Sequence, residues 1–339
     1  MWAWPIFIGL TSTILFPDAN LSLFLYERLF ATENHLNLTF SGKRVWITGA
    51  SSGIGANLAK QLHRHGAKVI ISGRRDFALE RVKNECMLSG KGSNVEKIPF
   101  DITGSDGEIA KAVQKARSIY DGIDILVLNA GQGQLSPALD ESFENTKELM
   151  DVNFLGPVRV ALEVMKTDGW AEKKESRHIV VTSSVASRMA LPLGTSYAAS
   201  KHAVHGYFSS LRSENSEWLR VDLPCPGPVS TEFHDKIAPK KPVTSTANAS
   251  EETELKMPVE RCTKLLVASM SGPKSIMKET WISIQPSLAF MYLNQYFPSI
   301  CSSLLGVFGY LRVKAFKAGL PIYKISSWIK ALKMDQDEK

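Results

Sequence analysis

The chain has 339 residues, of which 44% are hydrophobic and 22% charged, with a net charge of +6. That composition excludes a disordered or fibrous chain and fits one large α/β domain with additional pieces, or two small domains. The positive charge is spread along the chain without a nucleic-acid motif or an aromatic-interleaved basic stripe, so it suits solubility and attraction to anionic lipid rather than nucleic acid.

Met1 to Phe16 carries no charge, Pro17-Asp18-Ala19-Asn20 interrupts it, and Leu21 to Phe30 resumes the apolar run with Glu27 and Arg28 near its end. The first run falls short of the roughly 20 residues that span a bilayer. It lacks the basic start of a signal peptide, and Trp2 and Trp4 suit a membrane interface. Residues 1–40 are therefore expected to be a membrane anchor; the alternative is an apolar arm packed on the domain. Arg28, Lys43 and Arg44 after the run favour a cytosolic domain. The triplets Asn20-Leu-Ser, Asn37-Leu-Thr and Asn248-Ala-Ser are glycosylation acceptors only in a lumen, so the sequence leaves the side of the membrane open.

Val45–Thr48 predicts a buried strand. It runs into Gly49-Ala-Ser-Ser-Gly53-Ile-Gly55 and then a helix through Leu58, Ala59 and Leu62. A Gly-rich turn between strand and helix lets backbone amides and the helix N-terminus approach a pyrophosphate. The second strand, Lys68–Ser72, ends at Gly73-Arg74-Arg75, where an NAD site would want an acid for the ribose. Two arginines suit a 2′-phosphate instead, so NADP is expected over NAD, and Asp76 is assigned to capping the helix Phe77–Met87. A third strand, Lys97–Ile102, brings Asp101 to its end. A fourth, Ile123–Leu128, ends in Asn129-Ala130-Gly131, small residues that leave room for a cofactor. Asn153 lies in a helical stretch, Met150–Met165, where a mid-helix amide is locally unfavourable and hints at a role or a buried bond.

The apolar run Ile179–Thr182 predicts a buried parallel strand closing at Ser184. Beyond a Pro/Gly-bearing loop, Tyr197 and Lys201 stand four apart in an Ala-rich helix, on one face. An ammonium beside a phenol is expected to lower the phenol pKa and fit it for proton transfer, with the Ser184 hydroxyl reaching the same substrate oxygen. Leu219–Leu223 is the next strand, leading to Pro226-Gly227, Val229 and Thr231. Residues 232–257 read as a lid over the substrate, followed by a helix from Pro258 to Met270 and a last strand, Thr280–Ile284. From Trp281 to Leu311 no charged residue occurs. Basic residues from Arg312 to Lys333 follow, a pattern suited to monotopic membrane insertion, or to an extension that covers the substrate pocket or forms a dimer seam. Cys86, Cys225, Cys262 and Cys301 match no zinc or redox spacing, and the histidines show no ligand spacing; free buried thiols and no metal are expected.

Strands alternating with helices predict an α/β, Rossmann-type doubly wound parallel sheet over 41–284, with an apolar C-terminal extension over 285–339. Thr48 to Gly55, Asn129-Ala-Gly131, Asn153, Ser184, Tyr197-x-x-x-Lys201 and Pro226-Gly227 together resemble the short-chain dehydrogenase/reductase superfamily. The tail from Trp281 to Pro298 is similar to its membrane-associated member 7 branch. The resemblance implies a catalytic set of Asn153, Ser184, Tyr197 and Lys201. Tyr197 would be the acid/base, Lys201 its tuner and ribose holder, Ser184 the substrate-orienting hydroxyl, and Asn153 the holder of a relay water. It also implies a cofactor site of Gly49, Ser51, Gly53, Ile54, Arg74, Arg75, Asp101, Ile102, Asn129, Ala130, Val229 and Thr231, with Tyr197 and Lys201, for NADP(H). The implied protein is a membrane-associated homodimer of the endoplasmic reticulum or another endomembrane. It interconverts a carbonyl and an alcohol on a steroid- or retinoid-like substrate. Alternatives are a long-chain ketolipid reductase and a cofactor-binding membrane scaffold. Asp222-Leu-Pro224 departs from the pattern and is expected to disturb the nicotinamide end of the site.

Overall fold

The computed structural model of the protein describes residues 17–89, 94–167, 169–170, 176–189, 191–235 and 255–333. Among the described residues nine strands follow in chain order: β1 (Arg44–Ile47), β2 (Lys68–Gly73), β3 (Val95–Pro99), β4 (Ile125–Leu128), β5 (Arg177–Val181), β6 (Leu219–Pro226), β7 (Val229–Ser230), β8 (Met257–Pro258) and β9 (Glu279–Ile282). Seven of them form one sheet in the order β3-β2-β1-β4-β5-β6-β9, every pair parallel. This is the expected doubly wound architecture. The strand order reverses between β1 and β4, which places a ligand crevice at their C-terminal ends.

The alternation of side chains builds two cores. Val45, Ile47, Val69, Ile71, Ile125 and Val127 face the layer made by helices Gly53–Arg64 and Val259–Ser271. Trp46, Ile70, Leu126 and Leu128 face helices Asp106–Tyr120, Gly156–Thr167 and Thr195–Glu214.

Element boundaries move where local chemistry decides them. β3 begins two residues before the predicted Lys97 and closes at Pro99, so Phe100, Asp101 and Ile102 stand in the loop at the sheet edge instead of in the strand. Asp76 opens its helix rather than capping it, and pairs with Lys97 Nζ at 2.7 Å. The stretch around Asn153 contains a π-helical turn, Asp151–Leu155, between two α-helices; such turns concentrate at functional sites. Pro224 does not disturb β6. It pairs in register with Thr280, and its carbonyl accepts the Ser183 N–H at 2.8 Å. The four cysteines are free and buried.

The segment expected to anchor the protein over 1–40 divides. Residues 1–16 lie outside the described residues. From Asp18 onward the chain packs on the domain. Ala19 bridges Ile282, helices Leu21–Leu29 and Glu33–Phe40 bury Leu23, Phe24, Leu36 and Phe40, and Arg261 clamps Asp18 at 2.6 Å and Glu27 at 2.9 Å. Asn20 and Asn37, in two of the glycosylation triplets, use their amide oxygens inside the fold, toward Trp281 N and His65 Nδ1; Asn248 lies outside the described residues. Among the described residues no helix is long and apolar enough to cross a membrane.

The C-terminal extension forms helices Ser287–Tyr296, Pro298–Lys317 and Ile325–Lys333. It folds back over the C-terminal edge of the sheet. Gly309 lies so close to the substrate-side loop that a Cβ there would stand 2.9 Å from Pro192 Cγ. Phe297, Ile300, Val307 and Tyr310 remain exposed on its outer side.

Candidate active site and cofactor cradle

Loops at the C-terminal ends of β1 to β6 and the extension enclose one cavity of about 770 Å³. Its first end is the Gly-rich turn. Thr48 Oγ1 accepts the N–H groups of Asn129 and Ala130 at 3.1 and 3.3 Å, which ties the end of β1 to the end of β4. Gly49, at φ +66°, runs so close to this junction that a Cβ would lie 2.5 Å from Ala130 Cα. The turn is therefore a cradle that only bare backbone can form. Gly49, Ser51, Gly53, Ile54, Asn129, Ala130, Val229 and Thr231 all line it, as do Arg74, Arg75, Asp101 and Ile102.

At the outer edge of the cradle Arg75 Nη2 reaches Ser51 Oγ at 3.4 Å, and the exposed Arg74 lies 3.9 Å from Asp101 Oδ2. The other Asp101 oxygen closes a turn on Thr103 N and Oγ1 at 2.9 and 2.8 Å. Asp101 thus takes the capping role and also faces the cavity. Asp76, held by Lys97, is not among the lining residues.

In mid-cavity stand Ser184, Tyr197 and Lys201. A side-chain hydrogen bond joins Tyr197 to Ser184. Ser184 Oγ also accepts the Ala186 N–H at 3.2 Å, which fixes its rotamer. The Lys201 ammonium lies 5.8 Å from the Tyr197 ring centre and donates to the Thr182 carbonyl at 2.9 Å.

The electrostatics differ from expectation. Burial pushes the Tyr197 phenol up to about 12, against the opposing pull of the Ser184 hydrogen bond, and burial lowers the Lys201 ammonium to about 8. The ammonium does not bring the phenol below its ordinary value, because desolvation of a phenolate outweighs a charge that sits toward the ring and is itself desolvated.

Asn153 is buried behind this trio and does not line the cavity. Its Nδ2 donates to Gln132 O and Ser200 Oγ, both at 2.9 Å, and its Oδ1 accepts Gln132 N at 2.7 Å. Both amide hydrogens are therefore committed to protein, and the residue braces the Gln132 loop against the helix that carries Tyr197.

Gln134 escaped sequence reasoning, since a loop glutamine carries no pattern. Its Oε1 accepts the N–H groups of Ser196 and Tyr197 at 2.8 and 3.1 Å, serving as the N-terminal cap of helix Thr195–Glu214 from a distant loop. Gln134→Ala is expected to cost about 1 kcal/mol, as loss of a cap does. Gln134→Glu, which keeps the acceptor, should recover most of it, and denaturant midpoints of the two variants check this.

Arg312 and Tyr323 also emerge only in three dimensions. Arg312 reads as the start of a basic membrane edge, yet it lines the cavity with Phe290, Phe308 and Trp328.

Among the described residues no group of three potential metal ligands occurs.

Residues 43–242 match the short chain dehydrogenase family. The chain is 36% identical over 299 residues to Dehydrogenase/reductase SDR family member 7 of Homo sapiens, a match covering 86% of this chain and 85% of that protein. It is 38% identical over 176 residues to Hydroxysteroid 11-beta-dehydrogenase 1-like protein of Xenopus tropicalis, covering 52% and 59%. An alcohol dehydrogenase from the archaeon Thermococcus sibiricus, solved with 5-hydroxy-NADP, superposes with a TM-score of 0.61 at 25% identity, over 72% of this chain and 97% of that one.

Proposed function

This chain belongs to the short-chain dehydrogenase family, with similarity running to its member 7 branch, and we propose that it is an NADP(H)-dependent oxidoreductase interconverting a carbonyl and an alcohol on a lipophilic, steroid- or retinoid-like substrate. The observation that carries the reading is the position of the Ser184–Tyr197–Lys201 group, between a Gly-rich cradle and an apolar cavity wall. The cradle fits a nicotinamide dinucleotide, because Gly49 leaves no room for a side chain and places bare backbone at the mouth of helix Gly53–Arg64.

A bound nicotinamide would supply the hydride. Tyr197 gives its phenolic proton to the carbonyl oxygen while Ser184 orients that oxygen by hydrogen bond. Lys201 stabilises the phenolate that results and holds the ribose. Asn153 keeps the Gln132 loop and the Tyr197 helix in register; a relay water there would meet groups other than its committed amide hydrogens. Asn129, Ala130, Val229 and Thr231 flank the ribose and carboxamide, and Asp101 and Ile102 flank the adenine.

Arg74 and Arg75 take the 2′-phosphate. The acid that would favour NAD, Asp76, pairs with Lys97, which it shares with Glu80, and does not line the cavity. The substrate end is lined by Met189, Leu193, Phe290, Leu305, Phe308 and Trp328, and this supports a lipophilic substrate. The name of the Xenopus relative points the same way. The exposed apolar side of the extension, followed by the exposed Lys317, Lys330 and Lys333, supports docking on an endomembrane such as the endoplasmic reticulum. Association as a homodimer would use helices Gly156–Thr167 and Thr195–Glu214.

The test is NADPH and NADH oxidation by the detergent-solubilised full chain with steroid, retinoid and long-chain keto substrates. NADPH should be preferred, and the Arg74→Ala/Arg75→Ala double variant should lose about 10²-fold in NADPH affinity while NADH affinity stays level. Turnover of long-chain ketolipids alone would select that narrower alternative. Tight NADPH binding without turnover of any carbonyl would replace the enzyme reading with a scaffold.

A further inference from the structure

The substrate half of the cavity carries a charge that the chemistry at Tyr197 does not use. Arg312, from helix Pro298–Lys317, enters a wall otherwise built of Phe290, Leu305, Phe308, Ile322 and Trp328. Its Nε is buried and meets no hydrogen-bond partner, and no carboxylate pairs with the guanidinium among the described residues. The protein neighbour it does have is a phenol. Arg312 hydrogen-bonds Tyr323, and its Cζ lies 5.4 Å from that ring centre. A second cation, Lys256, stands over the same ring with Nζ 5.1 Å from its centre. Burial holds the Arg312 guanidinium below its ordinary pKa against the opposing pull of Tyr323.

Desolvating a guanidinium is costly unless something anionic arrives to share its fork of donors. The corner also lies close enough to the reacting group for the Tyr323 phenol to act on Tyr197 electrostatically. Resting on the oxidoreductase reading, we propose that Arg312, in a corner with Tyr323, binds the carboxylate of the substrate, and that Lys256, against the Tyr323 ring but outside the cavity lining, adds to the positive charge of that corner. The substrate is then an amphipathic acid: an apolar body, an oxidisable or reducible oxygen held at Ser184 and Tyr197, and a carboxylate at the other end held by Arg312. A plain bracing role for Arg312, tying its helix to the Tyr323 segment, predicts no dependence on ligand charge.

The experiment uses the full chain in detergent with NADPH bound, and probes that share one steroid body: a keto-steroid carboxylic acid and its methyl ester, which removes the charge and adds one methyl group, with the near-isosteric primary amide as a neutral control. Affinity is measured calorimetrically and turnover separately. The acid should bind about 10- to 100-fold more tightly than the ester, the effect of a charge-assisted bond to a desolvated group. Arg312→Gln should collapse that ratio toward one, and Arg312→Lys, which keeps the charge without the fork, should retain part of it. Thermal melts of both variants guard against misfolding, and Tyr323→Phe should narrow the ratio if Arg312→Gln fails to fold. Equal affinity for acid and ester in the unaltered protein overturns the proposal, as does a preference that survives Arg312→Gln. Acid-selective binding without Tyr197-dependent turnover leaves the anion corner standing and removes the reductase reading instead.

Discussion

Tyr197→Phe is expected to lower carbonyl reduction by between about 10²- and 10⁴-fold while leaving NADPH affinity near its original value. The phenol sits in mid-cavity, hydrogen-bonded to Ser184, and the substitution removes one oxygen without opening the packing against Phe233. The sign of the pH dependence follows from the two shifted groups. With its pKa at about 12, Tyr197 holds its proton throughout the neutral range, so reduction is not limited by phenol ionisation there. Lys201 titrates at about 8, and its positive charge is what receives the phenolate formed on proton transfer. Reduction should therefore be level below about pH 8 and decline above it, whereas alcohol oxidation, which starts from the phenolate, should rise with pH. Steady-state rates in both directions from pH 6 to pH 10 measure this. A rate of reduction that climbed with pH, or a Tyr197→Phe variant with full turnover, would remove Tyr197 from the proton path.

Asp222→Ala should be the most damaging single change to stability. Asp222 lies in β6, between β5 and β9, and is 1% exposed. It accepts His178 Nε2 at 2.9 Å and the Arg220 guanidinium at 3.0 and 2.5 Å. Burial alone would raise its carboxyl pKa, yet His178 and Arg220 hold it below the ordinary value. His178 is itself kept neutral by burial. Removing the carboxylate strands Arg220 without a counter-charge and leaves a buried imidazole N–H without an acceptor. Breaking a buried pair in this way costs about 3–5 kcal/mol. Arg220 keeps its bonds to the carbonyls of Gly272 and Ser269, which places the expected loss toward the lower end. A shifted denaturant midpoint at unchanged slope is the measurement. Both folded pKa values are depressed, so the contribution is present at neutral pH. It erodes first below about pH 6.5 as His178 must stay unprotonated, then below about pH 4 as Asp222 must stay ionised. The variant should therefore lose the Asp222 part of the acid limb, below about pH 4, while the decline below about pH 6.5 persists, because Asp222 is what holds the His178 pKa up against burial.

Much of this protein was legible before its coordinates. The apolar β-branched runs named five of the seven sheet strands to within two residues, because strands buried on both faces have no alternation to confuse; a sixth, β6, runs three residues past the expected Leu223 to Pro226. The seventh, β3, differed because Pro99 removes a donor and ends the ladder early, a decision made by pairing with Gly73 rather than by hydropathy. The turn Gly49–Gly55 and the spacing of Tyr197 and Lys201 fixed the placement of the candidate site, since both act through local backbone geometry. Every cofactor residue named from the sequence faces the cavity, while Asn153 stands behind it as a brace.

Local sequence determined, in short, which residues bring chemistry and in what order the layers alternate: periodicity and turn residues are properties of neighbouring positions. Only the tertiary structure decided what the two apolar ends do. The segment after Pro17 is core because Arg261, more than two hundred residues away, meets Asp18 and Glu27. The C-terminal run covers the cavity because Gly309 lets it reach Pro192. The same fold placed the Tyr197 phenol at about 12 instead of below 10, since burial is a sum over distant atoms that no spacing along the chain encodes. It also turned Arg312 from a basic residue beside an apolar run into a half-buried cation of the substrate wall.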